Sequence, residues 1–255
     1  MPETATDLAL TAFHALRPDQ QLWRPAGLHS LELLGLVQRC DEAIEVAGIL
    51  LSQTDDADAI GQIEVAAART LWLTNRWEAA VERSARALAG RGLSETMRTR
   101  LAALHALARS RVQPATVVVP DAEGALQAAE RISDQAATVL ARHALAEASR
   151  NRGDHVSSLG HYRALRAISG PAYIAQEIQG LQHLDRFDDA DVMLHQGCRD
   201  MGLDRGIVFI SLIYTRSGRT TTSATSMRPK PAPGRFSILP SSEAATRAES
   251  RRHHC

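Results

Sequence analysis

Lysine is almost absent from this 255-residue chain. Of the 29 basic residues, 28 are arginine and one is lysine, Lys230. A Walker A phosphate loop needs a lysine after a glycine-rich turn, and a Schiff-base enzyme needs a lysine shielded from water. Lys230 lies between Pro229 and Pro231, a setting that suits neither arrangement. P-loop nucleotide hydrolysis and Schiff-base catalysis are therefore excluded.

Cysteine is also scarce. Cys40, Cys198 and Cys255 are too scattered for a disulfide framework or a zinc module, both of which use closely spaced cysteines. The ten histidines do not replace them, because ligand pairs on one helical face are about three or four residues apart, whereas His155 and His161 are six apart. We expect no bound metal and no other cofactor.

Catalytic motifs are missing as well. The chain has no Gly-x-Ser-x-Gly elbow, no Cys-x-x-Cys pair and no Gly-x-Gly-x-x-Gly turn. The acidic cluster of Asp188, Asp189 and Asp191 is expected to oppose a helix dipole rather than to bind a cation. We predict a protein that is not an enzyme. The alternative, a hydrolase hidden in a helical array, would need titratable residues that converge in a closed pocket.

Long apolar runs are absent. The longest, residues 31–37 and 207–214, are far shorter than the roughly 20 residues that span a bilayer. The first seven residues are acidic and lack the basic stretch and apolar run of a secretory signal. These features predict a cytoplasmic protein without a membrane partner.

The composition that remains divides the chain into two parts. Hydrophobic residues make up 44% of the sequence, which excludes disorder throughout. Residues 216–255 carry eight basic and two acidic side chains in a context rich in Ser, Thr and Pro, whereas residues 1–215 carry 21 basic and 27 acidic ones. We predict a folded domain over 1–215 and a disordered tail over 216–255.

Internal repeats run through the first part. Five similar blocks can be aligned on one marker position each, with spacings of 37, 45, 33 and 32 residues: Cys40, Trp77, Ala122, His155 and Phe187. Each marker is expected to begin a helix that follows a short polar turn. The long spacing contains Pro114 and Pro120, which we interpret as an inserted loop.

A small side chain recurs three residues after each marker, at Ala43, Ala80, Ala125, Ser158 and Ala190. Small residues on one helical face let two helices approach closely, so each block predicts one half of an antiparallel hairpin. Because a hairpin cannot bury both of its faces alone, the fold prediction is all-α, a right-handed superhelical solenoid of about five hairpins. The alternative is an alanine-rich helical bundle in which the blocks align by chance.

The blocks resemble a known repeat family. Residues 41–45 and 77–88 are similar to the second helix of tetratricopeptide repeats, and residues 28–214 resemble the helical-repeat region of LuxR-type, MalT-like ATP-binding transcription regulators. That resemblance implies an ATP-binding module before the repeats and a helix-turn-helix DNA reader after them. Lys230 does not fit the first, and the prolines of 216–255 do not fit the second, so we expect a detached, truncated piece of such a regulator.

First helices of stacked hairpins line a concave side, and six of their residues are predicted to point into it: Arg69, Trp72, His143, Glu147, Arg150 and Gln179. Arginine and tryptophan are common anchors of protein interfaces. The predicted function is therefore a protein-interaction or effector-sensing module that holds a protein or a small effector. The alternative is an ordinary solvated face with Trp72 in the core.

Residues 207–214 and the tail leave further alternatives open. Residues 207–214 read as an unfinished first helix, whose Ile207, Phe209 and Ile210 predict self-association. The abrupt change after it suggests a shifted reading frame. Alternatively, the basic tail attracts nucleic acid without reading its sequence, although the favoured prediction for this fragment has no nucleic-acid partner.

Overall fold

The computed structural model describes residues 2–200, and all of the regular structure in this range is helical. This result confirms the all-α solenoid. Eleven α-helices and one 3-10 helix follow in order: α1 (Pro2–Ala15), α2 (Trp23–Leu36), α3 (Cys40–Ser52), α4 (Ala57–Leu73), α5 (Trp77–Leu88), α6 (Glu95–Arg109), α7 (Ala115–Arg131), α8 (Gln135–Asn151), α9 (His155–Ser169), the 3-10 helix (Gly170–Tyr173), α10 (Ile174–His183) and α11 (Phe187–Asp200).

The predictions for the tail at 216–255 and for the unfinished repeat at 207–214 lie outside the described residues. So do the domain boundary near 215 and the predicted self-association. Within the described range, no helix is both long and apolar enough to cross a bilayer.

Five helical hairpins make up most of the molecule. Helix α2 packs against α3, α4 against α5, α6 against α7, α8 against α9 and α10 against α11, while α1 covers α2. First helices of successive hairpins also pack together, α2 on α4, α4 on α6 and α6 on α8. Each hairpin is therefore stabilised mainly by its neighbours along the chain, as in other solenoids.

One backbone turn recurs between helices. A residue with positive φ ends five helices: Gln38 (62°), Asn75 (61°), Ser133 (55°), Gly153 (80°) and Asp185 (56°). The next residue then donates its N–H to the carbonyl five residues earlier, as Arg39 does to Leu34 at 2.9 Å. This Schellman geometry satisfies carbonyls that the helix end would otherwise leave free. It confirms the polar turns predicted before α3, α5, α9 and α11.

The predicted helix starts are confirmed at four of five markers. Helices α3, α5, α9 and α11 begin at Cys40, Trp77, His155 and Phe187. The third marker is wrong, because Ala122 lies inside α7, which begins at Ala115. With starts at 40, 77, 115, 155 and 187, the spacings become 37, 38, 40 and 32.

The inserted loop expected around two prolines is also wrong, since this segment forms the start of α7. Pro114 is the N-cap residue, outside the helix, so its missing N–H costs no helical hydrogen bond. Pro120 lies inside α7 and leaves the carbonyl of Thr116 without its usual donor. Thr116 is exposed, so water can replace that donor.

Small residues occupy the helix contacts, as predicted. All five small positions of the blocks are buried: Ala43, Ala80, Ala125, Ser158 and Ala190. In α7, Val118 takes the place three residues after the true helix start and is also fully buried. The contact around α4, α6, α7 and α8 is mostly alanine and leucine, which keeps these helices close together.

Two glycines of the first hairpin, Gly27 and Gly48, differ in how closely their surroundings are packed. A Cβ added at Gly27 would lie 2.7 Å from Leu50 Cδ2 and 2.8 Å from Phe13 Cε2, whereas one at Gly48 would meet nothing within 4 Å. We expect Gly27→Ala to lower the free energy of unfolding by about 1–3 kcal/mol, because Leu50 and Phe13 are fully buried. Gly48→Ala should raise it by about 0.5–1 kcal/mol through helix propensity. Urea denaturation measures both, and equal effects of the two substitutions would contradict the proposed packing.

Candidate functional site

A groove of about 730 Å³ lies along the first helices of the hairpins. Residues of α2, α4, α6 and α8 line it, together with the 3-10 helix and α10. Most of its lining is apolar, and the polar exceptions include three glutamines, Gln62, Gln135 and Gln176. This surface is the strongest candidate for a binding site among the described residues.

Three of the six predicted groove residues line it, namely Arg69, Trp72 and His143. The other three do not. Glu147 and Arg150 lie behind the groove wall in a buried cluster, and Gln179 is half-buried on α10 without lining the groove. Counting back from a turn fixes the height of a residue along its helix, but it does not fix which side of the helix the residue faces.

An aromatic cluster forms one end of the groove. The His143 ring lies 5.0 Å from the Trp72 ring and 5.4 Å from the Tyr173 ring, in edge-on arrangements that aromatic pairs favour. Tyr173, which sequence reasoning missed, belongs to the 3-10 helix that joins α9 to α10. Periodicity gives no signal there. Trp72 lines the groove and also packs against buried residues, so its ring is shared between the groove wall and the core.

Glu147 is the centre of a buried polar cluster directly behind His143. Its Oε1 accepts a hydrogen bond from the Tyr162 hydroxyl, and its Oε2 accepts one from Arg150 at 2.5 Å. Arg111 Nη1 lies 3.1 Å from the same Oε2, and His143 Nε2 lies 3.8 Å from Oε1. Because Glu147 is only 2% exposed, these partners replace the water it loses on folding.

Arg111 extends this cluster toward the second hairpin. Its guanidinium carbon lies 5.7 Å from the centre of the Trp72 ring and 5.5 Å from that of Trp77, within cation–π range of both. The cluster therefore links α4, α5, α8 and α9 through Arg111, the second residue after the end of α6. It holds Trp72 and His143, the two rings of the groove wall, from behind.

The charges around Glu147 keep it ionised. Burial by itself raises the pKa of this carboxyl, but the approach of His143 and the charges of Arg150 and Arg111 outweigh burial and lower its pKa to about 2. Burial and the negative charge of Glu147 raise the pKa of Tyr162, so this hydroxyl remains a hydrogen-bond donor.

Arg69 and Arg100 supply positive charge to the groove. Arg100 donates from Nε to Asp134 at 2.7 Å, and Asp134 also caps the first turn of α8. Arg69 is exposed and has no ion-pair partner among the described residues. The acidic side chain that lines the groove, Glu32, belongs to α2, which packs against α4, but no described ion pair joins it to Arg69. Arg69 is therefore the arginine of the lining that is not in direct contact with a described carboxylate.

A serine–histidine pair lies elsewhere, between α5 and α6. Ser84 Oγ is 3.0 Å from His105 Nδ1, while the same hydroxyl donates to the carbonyl of Ala80 at 2.7 Å. Burial lowers the pKa of His105, and the charge of Arg109 acts in the same direction. Ser84 is fully buried, so no substrate can reach its oxygen. The pair links two helices and lacks the access that a nucleophile needs.

The acidic residues at the start of α11 lie where the dipole argument places them. Asp188 and Asp189 are in the first turn of the helix, and Asp189 Oδ2 lies 2.6 Å from Arg186 Nη2. Within the described residues, no group of three or more His, Cys, Asp or Glu side chains is arranged to hold a metal ion.

The cluster around Glu147 predicts a specific acid sensitivity. A carboxyl whose pKa falls on folding stabilises the folded state above its ordinary pKa of 4.5, and this contribution is lost as the pH falls toward about 2. Glu147→Gln should lower the free energy of unfolding by about 3 kcal/mol at neutral pH. The difference from the parent protein should shrink through this acidic window. Urea titrations at several pH values measure this difference. Glu78→Gln serves as the control, because Glu78 is exposed and has no ion pair with any described residue.

A stability loss for Glu147→Gln that does not change with pH would contradict this assignment. An equal loss for Glu78→Gln would contradict it as well.

Comparisons with known proteins bear on the fold alone. No protein-family model matches the chain, and no curated protein matches it. Among solved structures, the chain is similar to BtubC (BKLC) from P. vanneervenii, with a TM-score of 0.52 and 14% identity over 94% of this chain and 97% of that one. At this identity, the similarity supports the helical architecture and carries no activity or partner to this chain.

Proposed function

We propose that this chain is a non-catalytic binding module whose groove holds a protein segment or a small effector. The observation that carries the proposal is the groove itself, which is lined by an aromatic wall of Trp72, His143 and Tyr173 and by Arg69, an exposed arginine without an ion pair to any described residue. A cleft of this kind, mostly apolar with a few polar groups, is typical of ligand sites. The buried cluster around Glu147 supports the wall from behind and so preorganises it.

The wider biological setting that we propose is the helical-repeat part of a LuxR-type, MalT-like transcription regulator. The recurring turns and the stacked hairpins support a repeat domain of this general kind. In that setting the groove would receive the signal, and other parts of the regulator would respond to it.

The basic tail supports a second candidate function, in nucleic-acid association. Its eight basic and two acidic residues would give an attraction that weakens as salt increases. Salt-dependent DNA binding of the full chain and of a variant ending at residue 215 distinguishes the two functions. DNA binding that disappears with the tail supports the second candidate.

A pair of alanine substitutions tests the groove. Ala136 is exposed on α8 and lines the groove, whereas Ala79 is exposed on α5 and does not. We expect Ala136→Trp to fill the groove and to weaken a bound ligand by about tenfold or more, and Ala79→Trp to leave its affinity within about twofold. Titration calorimetry with the ligands found in a screen of peptides and small metabolites measures this difference.

Ligands that lose affinity equally in both tryptophan variants would contradict binding in the groove. A screen in which no ligand of any class responds to Ala136→Trp would contradict the proposed function as a whole.

A further inference from the structure

The size of the groove favours a small ligand over a folded protein partner. At about 730 Å³, the groove falls inside the range of roughly 300–1,000 Å³ that is typical of small-molecule clefts. A stable protein–protein interface instead buries about 800 Å² on each partner, over a broad and flatter surface. This step rests on the proposed function, because it concerns the same groove.

The wall of the groove indicates a ligand with an apolar or aromatic body. Trp72 and Tyr173 both contact the His143 ring and both line the groove, and Val139 and Leu140 of α8 continue this apolar surface. A ring placed here would meet apolar side chains on several sides. Burial of such a ring and its contact with the aromatic side chains both favour binding.

The charge beside this wall indicates an anionic group on the ligand. Arg69 and Tyr173 both line the groove, and the charge of Arg69 opposes the rise that burial causes in the pKa of Tyr173. Arg100 is neutralised by Asp134, so Arg69 is the arginine of the groove lining that no described carboxylate neutralises. A planar guanidinium presents paired donors that match a carboxylate.

Two buried polar atoms in the same lining also lack partners. Trp72 Nε1 has no acceptor and Gln176 Oε1 has no donor among the described residues. Buried polar groups are normally hydrogen-bonded, so these two atoms are unsatisfied positions in residues of the lining.

We propose that the groove binds a small carboxylic acid with a ring-bearing apolar body, with the carboxylate on Arg69 and the ring against Trp72 and Tyr173. A free acid is favoured over the carboxyl end of a peptide because the volume of the groove suits a compact ligand. An acidic peptide is therefore a competing outcome of the test.

Ligand-observed NMR titration of the full chain at neutral pH tests this assignment. The probes are 3-phenylpropionate, its neutral amide 3-phenylpropanamide, and an acetylated hexapeptide that ends in phenylalanine with a free carboxylate. We expect the acid to bind about tenfold more tightly than the amide, and this preference to weaken as salt increases.

Two arginine substitutions provide the matched comparison. Arg69→Gln should bring the affinities of acid and amide within about twofold of each other, mainly by weakening the acid. Arg98 is exposed on α6 and does not line the groove, so Arg98→Gln should keep the full preference. Both positions are exposed, and unchanged melting curves would show that the fold is intact.

Several outcomes would overturn the proposal. These are equal affinities for acid and amide in the parent protein, an unchanged preference in Arg69→Gln, an equal loss in Arg98→Gln, or a hexapeptide that binds about tenfold more tightly than the free acid. If none of the acids binds but a neutral ligand responds to Ala136→Trp, the carboxylate assignment fails and the proposed function stands. If no ligand responds to Ala136→Trp, both fail.

Discussion

The structure depends on one constraint, which is that a two-helix hairpin buries only one of its faces. The remaining face must be covered by the next hairpin, so the first helices α2, α4, α6 and α8 stack side by side. Small residues such as Ala68 of α4 and Ala103 of α6, both fully buried in one cluster, let these helices approach closely. The groove follows from this stacking, because the first helices form one face of the array and side chains on that face line a shared space.

Arginine supplies the cation in nearly all of the described ion pairs of this helix array. Ion pairs join neighbouring segments, as between Arg76 and Asp41 at 2.9 Å and between Arg83 and Glu64 at 2.5 Å. The guanidinium of Arg111 shows why lysine would not serve as well, since it pairs with Glu147 and lies near two tryptophan rings. A planar, weakly hydrated cation can do both at once, whereas a compact ammonium group favours its own hydration.

Residues packed behind the groove wall hold its aromatic side chains in position. His143 contacts the rings of Trp72 and Tyr173 on one side and lies near the carboxylate of Glu147 on the other. These contacts restrict the rotamers of the groove side chains before any ligand arrives. Preorganisation of this kind lowers the entropy that binding would otherwise cost. Arg69, in contrast, remains exposed and unpaired among the described residues, which leaves it available to a ligand.

The sequence by itself determined the helical class, the hairpin unit and four of five second-helix starts, because turn residues and small residues act locally and recur with the repeat. The sequence prediction was wrong at α7, where two prolines indicated a loop. Pro114 directly precedes this helix and Pro120 lies within it. Only the tertiary structure decided which side chains meet: Tyr173 at the groove, and Glu147 behind it. Those contacts join residues that are distant in sequence, and they depend on how each helix is rotated against its neighbours, which the repeat pattern does not specify.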